Sequence, residues 1–263
     1  PWAGRGDYQD ALHLLEETLT LSDRVGDVYV RTRALNTIGW IYGDLGNPAT
    51  AADWNRRSRD EAAAAGFPDP EVECNARLNL GDNLMAMGLL EDAEQEFRHV
   101  VVIVVDPRPE QRNDIVRYSQ HRHPSFGELL LARNETDAAL DRANRCLAAA
   151  EEQGHLKNIV KARRLRGEVY MARGQLGQAR NELYQARTIA AEVSNPPQLW
   201  RTLAAMGRLE ETLANTEQAR QRFDEGLRVL RSTAAKLTDD TLREALLASP
   251  DAQTLTTGAD TAS

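Results

Sequence analysis

Residues 167–186 read GEVYMARGQLGQARNELYQA, and this stretch determines the fold because its pattern recurs along the chain. A fixed period of several tens of residues indicates an array of stacked repeats, each too small to form a core alone. The clearest mark of the pattern is a ladder of alanines, separated by 40, 42, 46, 40 and 40 residues: Ala11, Ala51, Ala93, Ala139, Ala179 and Ala219.

Further columns of residues keep step with the alanines. Small residues allow two antiparallel helices of a hairpin to approach closely, and larger apolar residues fill the contact. A glycine precedes five of the alanines by twelve positions: Gly39, Gly81, Gly127, Gly167 and Gly207. Four positions after the alanines stand Leu15, Asn55, Phe97, Ala143, Leu183 and Phe223, and seven positions after them stand mostly small residues: Thr18, Ser58, Val100, Cys146, Ala186 and Gly226.

This combination resembles the tetratricopeptide repeat (TPR) family over nearly the whole chain. Good copies include Leu80-Gly81-x-x-Leu84 followed by Ala93, and the quoted stretch around Ala179. The resemblance implies an all-α fold, a right-handed superhelical solenoid of antiparallel helix hairpins. The period is about six residues longer than the basic 34, and in this it resembles the C-terminal TPR regions of bacterial signalling ATPases and LuxR-type regulators.

Charge and composition restrict the partners. The net charge is −8 and the pI about 5.3, which argues against direct nucleic-acid binding, because that needs a basic surface. No stretch is apolar enough to span a membrane. The two cysteines, Cys74 and Cys146, fall in different repeats and are expected to be reduced and buried. We therefore expect a cytoplasmic protein, and its excess of arginine over lysine suggests a GC-rich bacterial genome.

Helix punctuation divides the chain into four parts. Residues 1–26 are expected to form a partial first repeat that has only its second helix, the first helix being missing. Residues 27–236 should form five helix pairs, residues 237–250 a C-terminal capping helix and residues 251–263 a disordered tail. Two segments are ambiguous: Pro124 either delays or kinks its helix, and the valine-rich run at 100–105 is expected to be helical, with an extended exit as the alternative.

No catalytic, metal or cofactor site is predicted. His121 and His123 are two residues apart, so on a helix they point about 200° apart and cannot share a metal ion. No phosphate-binding loop and no nucleophile motif is present. The adjacent acids Glu16-Glu17, Glu151-Glu152 and Glu210-Glu211 are expected to lie on solvated faces. The chain is therefore predicted not to be an enzyme.

The TPR resemblance implies a concave groove lined by the first helices of successive repeats. Its basic residues, Arg33, Lys161, Arg164, Arg201 and Arg208, form either a ligand-facing basic stripe or ordinary ion pairs with neighbouring helices. Trp40 either faces a ligand beside Asn36 or packs against the next repeat. Carried over residue by residue, the groove positions are Arg33, Asn36, Trp40, Asn75, Asn79, Asp82, His121, Glu128, Lys161, Arg164, Glu168, Arg201 and Arg208.

The function implied is non-catalytic. We expect an interaction or sensor region that binds a protein segment, a peptide or a small regulatory ligand on the concave face, within a larger bacterial signalling or transcription-regulatory protein. One alternative is a plain protein–protein adaptor or scaffold without a switching role. Another is an accessory domain of an enzyme whose catalytic part lies elsewhere.

Overall fold

A computed structural model describes residues 3–64, 70–105 and 112–261, and in these ranges every regular element is a helix. A short 3₁₀ helix, Ala3–Arg5, precedes the α-helices. The α-helices are α1 (Tyr8–Val25), α2 (Val28–Asp44), α3 (Pro48–Ala64), α4 (Pro70–Ala86), α5 (Leu90–Val105), α6 (Arg112–Ala132), α7 (Thr136–Gln153), α8 (Leu156–Ala172), α9 (Leu176–Glu192), α10 (Pro196–Thr212), α11 (Thr216–Ala234), α12 (Asp240–Leu247) and α13 (Pro250–Thr261).

The chain divides into two compact units. The first unit is Tyr8–Leu129, and the second comprises Pro1–Asp7 with Leu130–Ser263. In the first unit, α2 packs against α3 and α4 against α5, and α3 packs against the following α4. In the second unit, α8 with α9 and α10 with α11 form the same kind of hairpin, and α9 packs against α10. The predicted all-α solenoid of antiparallel hairpins is confirmed.

The alanine ladder lies at the centre of these hairpins. Ala51, Ala93, Ala139, Ala179 and Ala219 have no exposed surface, and Ala11 is also buried. The glycine column explains the close approach of the two helices in a hairpin. A Cβ atom built on Gly81 would lie 2.3 Å from the ring of Phe97, and one on Gly167 would lie 2.7 Å from Leu183. The glycine of the first helix and the large residue four positions after the alanine therefore form one contact.

The turns between paired helices repeat one backbone conformation. Gly46, Gly88 and Gly174 have φ values of 80°, 78° and 70°, in the left-handed region that glycine adopts without strain. Asn134 takes the same place with φ 63°, as expected for the residue that stands where glycine would normally turn. Ala214 also does so, with φ 57°, although an alanine there carries a steric cost.

The two ambiguous segments prove to be helical. The valine-rich run ends α5 at Val105, so the extended alternative is wrong, and α6 continues through Pro124. Tertiary packing overrides the weak helix propensity of valine, because Val100 is completely buried against the core around Phe97. The loop expected to be most irregular, residues 106–113, lies mostly outside the described residues.

The C-terminus differs from the prediction. The expected disorder of residues 251–263 is wrong up to Thr261, because Pro250–Thr261 forms α13. Leu255 is completely buried and Ala252 and Ala259 nearly so, and these residues lie on one helical face. Helix α13 packs against α11 and α10 as α10 packs against α9 and α8. It therefore takes the place of the first helix of a further hairpin, while α12 is a short connecting helix.

No helix among the described residues is long and apolar enough to cross a membrane.

Candidate binding surface

The first helices of the hairpins form an inner row in each unit. In the first unit α2 contacts α4, and in the second unit α8 contacts α10, whereas the second helices of the same successive hairpins make at most marginal contacts in the described part of the chain. Helices on the inner side of a stack approach more closely than those on the outer side, so the first helices line the inner face. The predicted groove residues come from these first helices.

A cluster of four asparagines joins α2, α3 and α4 in the first unit. The Nδ2 atom of Asn55 donates to Oδ1 of Asn36 at 2.8 Å, and Nδ2 of Asn79 donates to the same oxygen at 3.0 Å. Nδ2 of Asn83 donates to Oδ1 of Asn55 at 2.9 Å. Asn55 and Asn83 are buried and Asn36 is partly exposed. We call Asn36, Asn55, Asn79 and Asn83 the amide cluster.

The amide cluster exists because Asn55 stands at the position that Phe97, Leu183 and Phe223 occupy in three other hairpins. A buried amide needs hydrogen-bond partners, and Asn36 and Asn83 supply them. Two glycines of α2 leave the necessary space. A Cβ atom on Gly39 would lie 2.4 Å from Nδ2 of Asn55, and one on Gly43 would lie 2.7 Å from Oδ1 of Asn83. The cluster is thus a fixed part of the hairpin contact.

Next to the amide cluster, the start of α2 is tied to α4. The guanidinium of Arg33 donates to Oη of Tyr29 at 2.6 Å and to Oε1 of Glu71 at 2.8 Å. Tyr29 is 44% exposed. Arg33 is therefore placed at the edge of the inner face and bridges two successive first helices.

The remaining predicted residues of the first unit lie on the same two helices or on α6. Trp40 is partly exposed near the end of α2, and Asn75 and Asp82 are partly exposed on α4. Glu128 is partly exposed near the end of α6, and the side chain of His121 lies outside the described residues.

In the second unit, the predicted arginines Arg164, Arg201 and Arg208 have partners within the chain. Nη1 of Arg164 donates to Oε1 of Gln198 at 2.7 Å, and Nη2 of Arg208 donates to Oε1 of Glu168 at 2.8 Å. Arg164 is only 6% exposed, so its guanidinium is largely enclosed by the chain. Lys161 is partly exposed one turn before Arg164.

Arg201 binds a carboxylate that the sequence analysis did not consider. Oδ2 of Asp251, in α13, accepts a hydrogen bond from Nε of Arg201 at 2.8 Å and another from Nε1 of Trp200 at 2.9 Å. Burial alone would raise the pKa of Asp251, but the charges of Arg201 and Arg164 and the two hydrogen bonds more than offset it, so the pKa is lowered. Asp251 is therefore a firmly ionised partner of α10.

Three of these arginines form ion pairs with neighbouring helices, which was one of the two alternatives given for them. Arg33, Arg201 and Arg208 each pair with an acid on a different helix. Whether these side chains also meet an external ligand stays a prediction. A different expectation is wrong outright: Glu210 is 1% exposed and binds Arg180, so the pair Glu210-Glu211 is not a solvated face. The buried member packs between repeats, and only Glu211 is exposed.

Neither metal ligands nor a reactive thiol is found in the part of the chain that the structure describes. No group of three or more histidine, cysteine, aspartate or glutamate side chains there could hold a metal ion. Cys74 and Cys146 are both buried and reduced, and burial raises the pKa of Cys146 to about 12. A protonated, inaccessible thiol is a poor nucleophile.

Sequence reasoning missed several residues that shape these surfaces. Asn55 could have been noticed, because it is the one amide in a column of mostly apolar residues. Asp251 could have been placed by the helical spacing of Ala252, Leu255 and Ala259. The hydrogen bond between Trp200 and Asp251 joins residues that are 51 positions apart, so no local sequence pattern predicts it.

Comparisons with known proteins agree with this architecture. Residues 159–232 match the family model described as Tetratricopeptide repeat. No curated protein sequence matches the chain. Among solved structures, the chain is similar to a Signal Transduction ATPase with Numerous Domains (STAND) protein with a tetratricopeptide repeat sensor from Pyrococcus horikoshii, with 15% identity, a TM-score of 0.58, and coverage of 86% of this chain and 33% of that chain.

A second similar structure is BtubC (BKLC) from P. vanneervenii, with 14% identity, a TM-score of 0.53, and coverage of 80% of this chain and 87% of that chain. At these identities the likenesses concern the fold alone. The chain spans about a third of the length of the STAND protein.

Proposed function

We propose, starting from the match of residues 159–232 to the tetratricopeptide-repeat family model, that the chain is a non-catalytic binding region that holds an extended segment of another protein on the inner face of α2 and α4. The observation that carries this proposal is the amide cluster. It holds the partly exposed Asn36 in place by hydrogen bonds from two other asparagines, of which Asn79 lies on the next inner helix.

The chemistry of this face suits a peptide backbone. An extended segment presents alternating N–H donors and C=O acceptors that need partners once water is removed. Amide side chains carry donor and acceptor groups. Because Oδ1 of Asn36 already accepts two hydrogen bonds, Asn36 offers its N–H donors to a ligand, and the partly exposed Asn75 on the neighbouring helix carries both kinds of group. Because the amide cluster fixes Asn36 before binding, less conformational entropy is lost when a ligand arrives.

The aromatic residues at the two ends of the α2 face add affinity for side chains of the bound segment. Tyr29 and Trp40 lie eleven residues, about three turns, apart on α2, so they are on the same side of the helix. Aromatic anchors with polar surroundings are typical of binding hot spots. Arg33 and Glu71 lie between them as a paired charge, which leaves the face without a strong net charge and favours a mixed rather than a strongly acidic segment.

A narrower proposal is that the binding region acts as a sensor within a larger signalling protein. The STAND protein named above carries a tetratricopeptide repeat sensor by its description, and this chain is similar in fold to a third of it. A plain adaptor uses the same face without a switch. A small regulatory ligand is less well suited than a peptide, because the amide, aromatic and charged groups are spread along about three turns of α2.

The test is selection of a random twelve-residue peptide display library on the full chain. Selected peptides should bind the Trp40→Ala and Asn75→Ala variants at least tenfold more weakly than the parent. Trp54→Ala is the matched control, because Trp54 is a partly exposed tryptophan on α3, a second helix, and should bind normally. Failure to select any peptide, or equal binding by the parent, Trp40→Ala and Asn75→Ala, would overturn the proposal.

A further inference from the structure

The last hairpin, in the second unit, presents a two-part cleft that α13 fills. At one end, the indole N–H of Trp200 and Nε of Arg201 meet the carboxylate of Asp251 at 2.9 and 2.8 Å. The positive charge of Arg164 also acts on this carboxylate. One end of the cleft is therefore built for a carboxylate, with two N–H donors and two cationic side chains around it.

The other end of the cleft is apolar and made narrow by glycine. The completely buried Leu255 lies against Gly226, where a Cβ atom would be 2.6 Å from the leucine Cδ2. Gly258 of α13 lies on the ring of Phe223, where a Cβ atom would be 2.6 Å away. Asp251 and Leu255 are one helical turn apart, so a helix presents both residues on one face. We call the two ends together the carboxylate cleft.

Helix α13 fills this cleft with few large side chains. Of its apolar side chains only Leu255 is large, and the other buried ones are Ala252 and Ala259. Segments that bury few large apolar groups open locally at a lower free-energy cost than the rest of the fold. The helix is joined to α12 through Ala248 and Ser249, which lie outside both helices.

We propose that the carboxylate cleft is a binding site for an acidic amphipathic helix of another protein, one with an aspartate in its first turn and a leucine four residues later, and that α13 occupies this site until such a helix displaces it. This inference is independent of the peptide-binding face of α2 and α4, because all its residues lie in the second unit. The occupant is defined by complementarity: the carboxylate matches the arginine end, and the leucine matches the space left by Gly226.

The test uses the full chain and a fluorescein-labelled peptide that corresponds to residues 249–261. In the parent chain the tethered α13 is present at a high effective concentration and should exclude the peptide. Gly258→Leu places a side chain into the ring of Phe223 and should release α13, so this variant should bind the peptide at least tenfold more tightly than the parent. A peptide with asparagine at the position of Asp251 should bind Gly258→Leu at least tenfold more weakly.

The matched control is Thr254→Leu, which adds a leucine to the exposed side of α13. It should leave α13 in place and bind the peptide as weakly as the parent. If circular dichroism shows that Gly258→Leu is unfolded, Leu255→Ala is used in its place to release α13. The same differences in peptide binding are then expected for Leu255→Ala. The proposal is overturned if the released variant binds the peptide no better than the parent or Thr254→Leu, or if the asparagine peptide binds equally well.

Discussion

Gly207 in α10 lies directly against the aromatic ring of Phe223 in α11, so that a Cβ atom at position 207 would be 2.5 Å from two ring carbons. Phe223 is 1% exposed and cannot move aside without disturbing the core. The same relationship joins Gly81 to Phe97 and Gly167 to Leu183. The glycine column of the sequence thus reflects one steric contact between the two helices of a hairpin, which recurs in successive hairpins.

Replacing this glycine by alanine should destabilise the protein. We expect Gly207→Ala to lower the free energy of unfolding by about 1–3 kcal/mol, because the methyl group overpacks the contact with Phe223. Gly177→Ala is the control, since nothing lies within 4 Å of a Cβ atom there, and it should leave stability unchanged or raise it by up to about 1 kcal/mol. Urea unfolding checks both variants, and equal midpoints would contradict the hairpin register.

The alanine ladder allows a test on neighbouring residues. Ala139 is completely buried, whereas Ala138 beside it is exposed. Ala139→Leu should lower the free energy of unfolding by about 1–3 kcal/mol through overpacking, and Ala138→Leu should change it by less than about 0.5 kcal/mol. Thermal unfolding measures the difference. A larger loss from Ala138→Leu would show that the helix α7 is rotated from the orientation described.

The helix hairpins could be predicted from the sequence, whereas most of the side-chain contacts on their surfaces could not. The hairpins could be predicted from the alanine and glycine columns. Small residues that recur at a fixed period mark the positions where the two helices of each hairpin come into close contact. The disorder expected after Pro250 was wrong because the small polar residues of α13 hide a single buried face around Leu255.

The polar contacts were less predictable, for a physical reason. Arginine side chains are long and can reach several helices, so their partners depend on the stacking of repeats rather than on local spacing. Arg208 pairs with Glu168, 40 residues away, and Arg201 pairs with Asp251, 50 residues away. Both arginines lie on α10, the first helix of its hairpin. Ion pairs with neighbouring helices were one of the two alternatives for them, but local spacing could not identify the particular acid that each would bind.

Two adjacent glutamates should respond very differently to truncation. Glu210 is buried and accepts hydrogen bonds from Arg180 at 3.1 Å and Asn215 at 2.8 Å, whereas Glu211 is exposed. Glu210→Ala should lower the free energy of unfolding by about 1–3 kcal/mol, because polar groups that were satisfied lose their partner. Glu211→Ala should change it by less than about 0.5 kcal/mol. Equal effects in chemical denaturation would count against the inward orientation of Glu210.

The lowered pKa of Asp251 predicts a pH dependence of stability. A carboxyl group with a folded-state pKa below its unfolded value contributes stability above the unfolded pKa, about 3.9 for aspartate. That contribution is lost as the pH falls through the lower folded-state pKa. The parent should therefore be more stable than Asp251→Asn at pH 7, and the difference should shrink as the pH falls below about 4. Unfolding midpoints at several pH values test this, and a difference independent of pH would refute it.

The most direct test of the proposed function locates a selected peptide on the inner face of the first unit. Benzoylphenylalanine, a photo-crosslinking amino acid, is placed in turn at Tyr29, at Asn75 and, as an outer-face control, at Trp54. The peptide is supplied at a concentration high enough to offset the weaker binding expected when Asn75 is replaced. The account predicts that a peptide selected on the parent chain crosslinks at positions 29 and 75, through different peptide residues, and does not crosslink at position 54. Crosslinking at position 54 alone, or no crosslinking at positions 29 and 75 by a peptide that still binds, would contradict it.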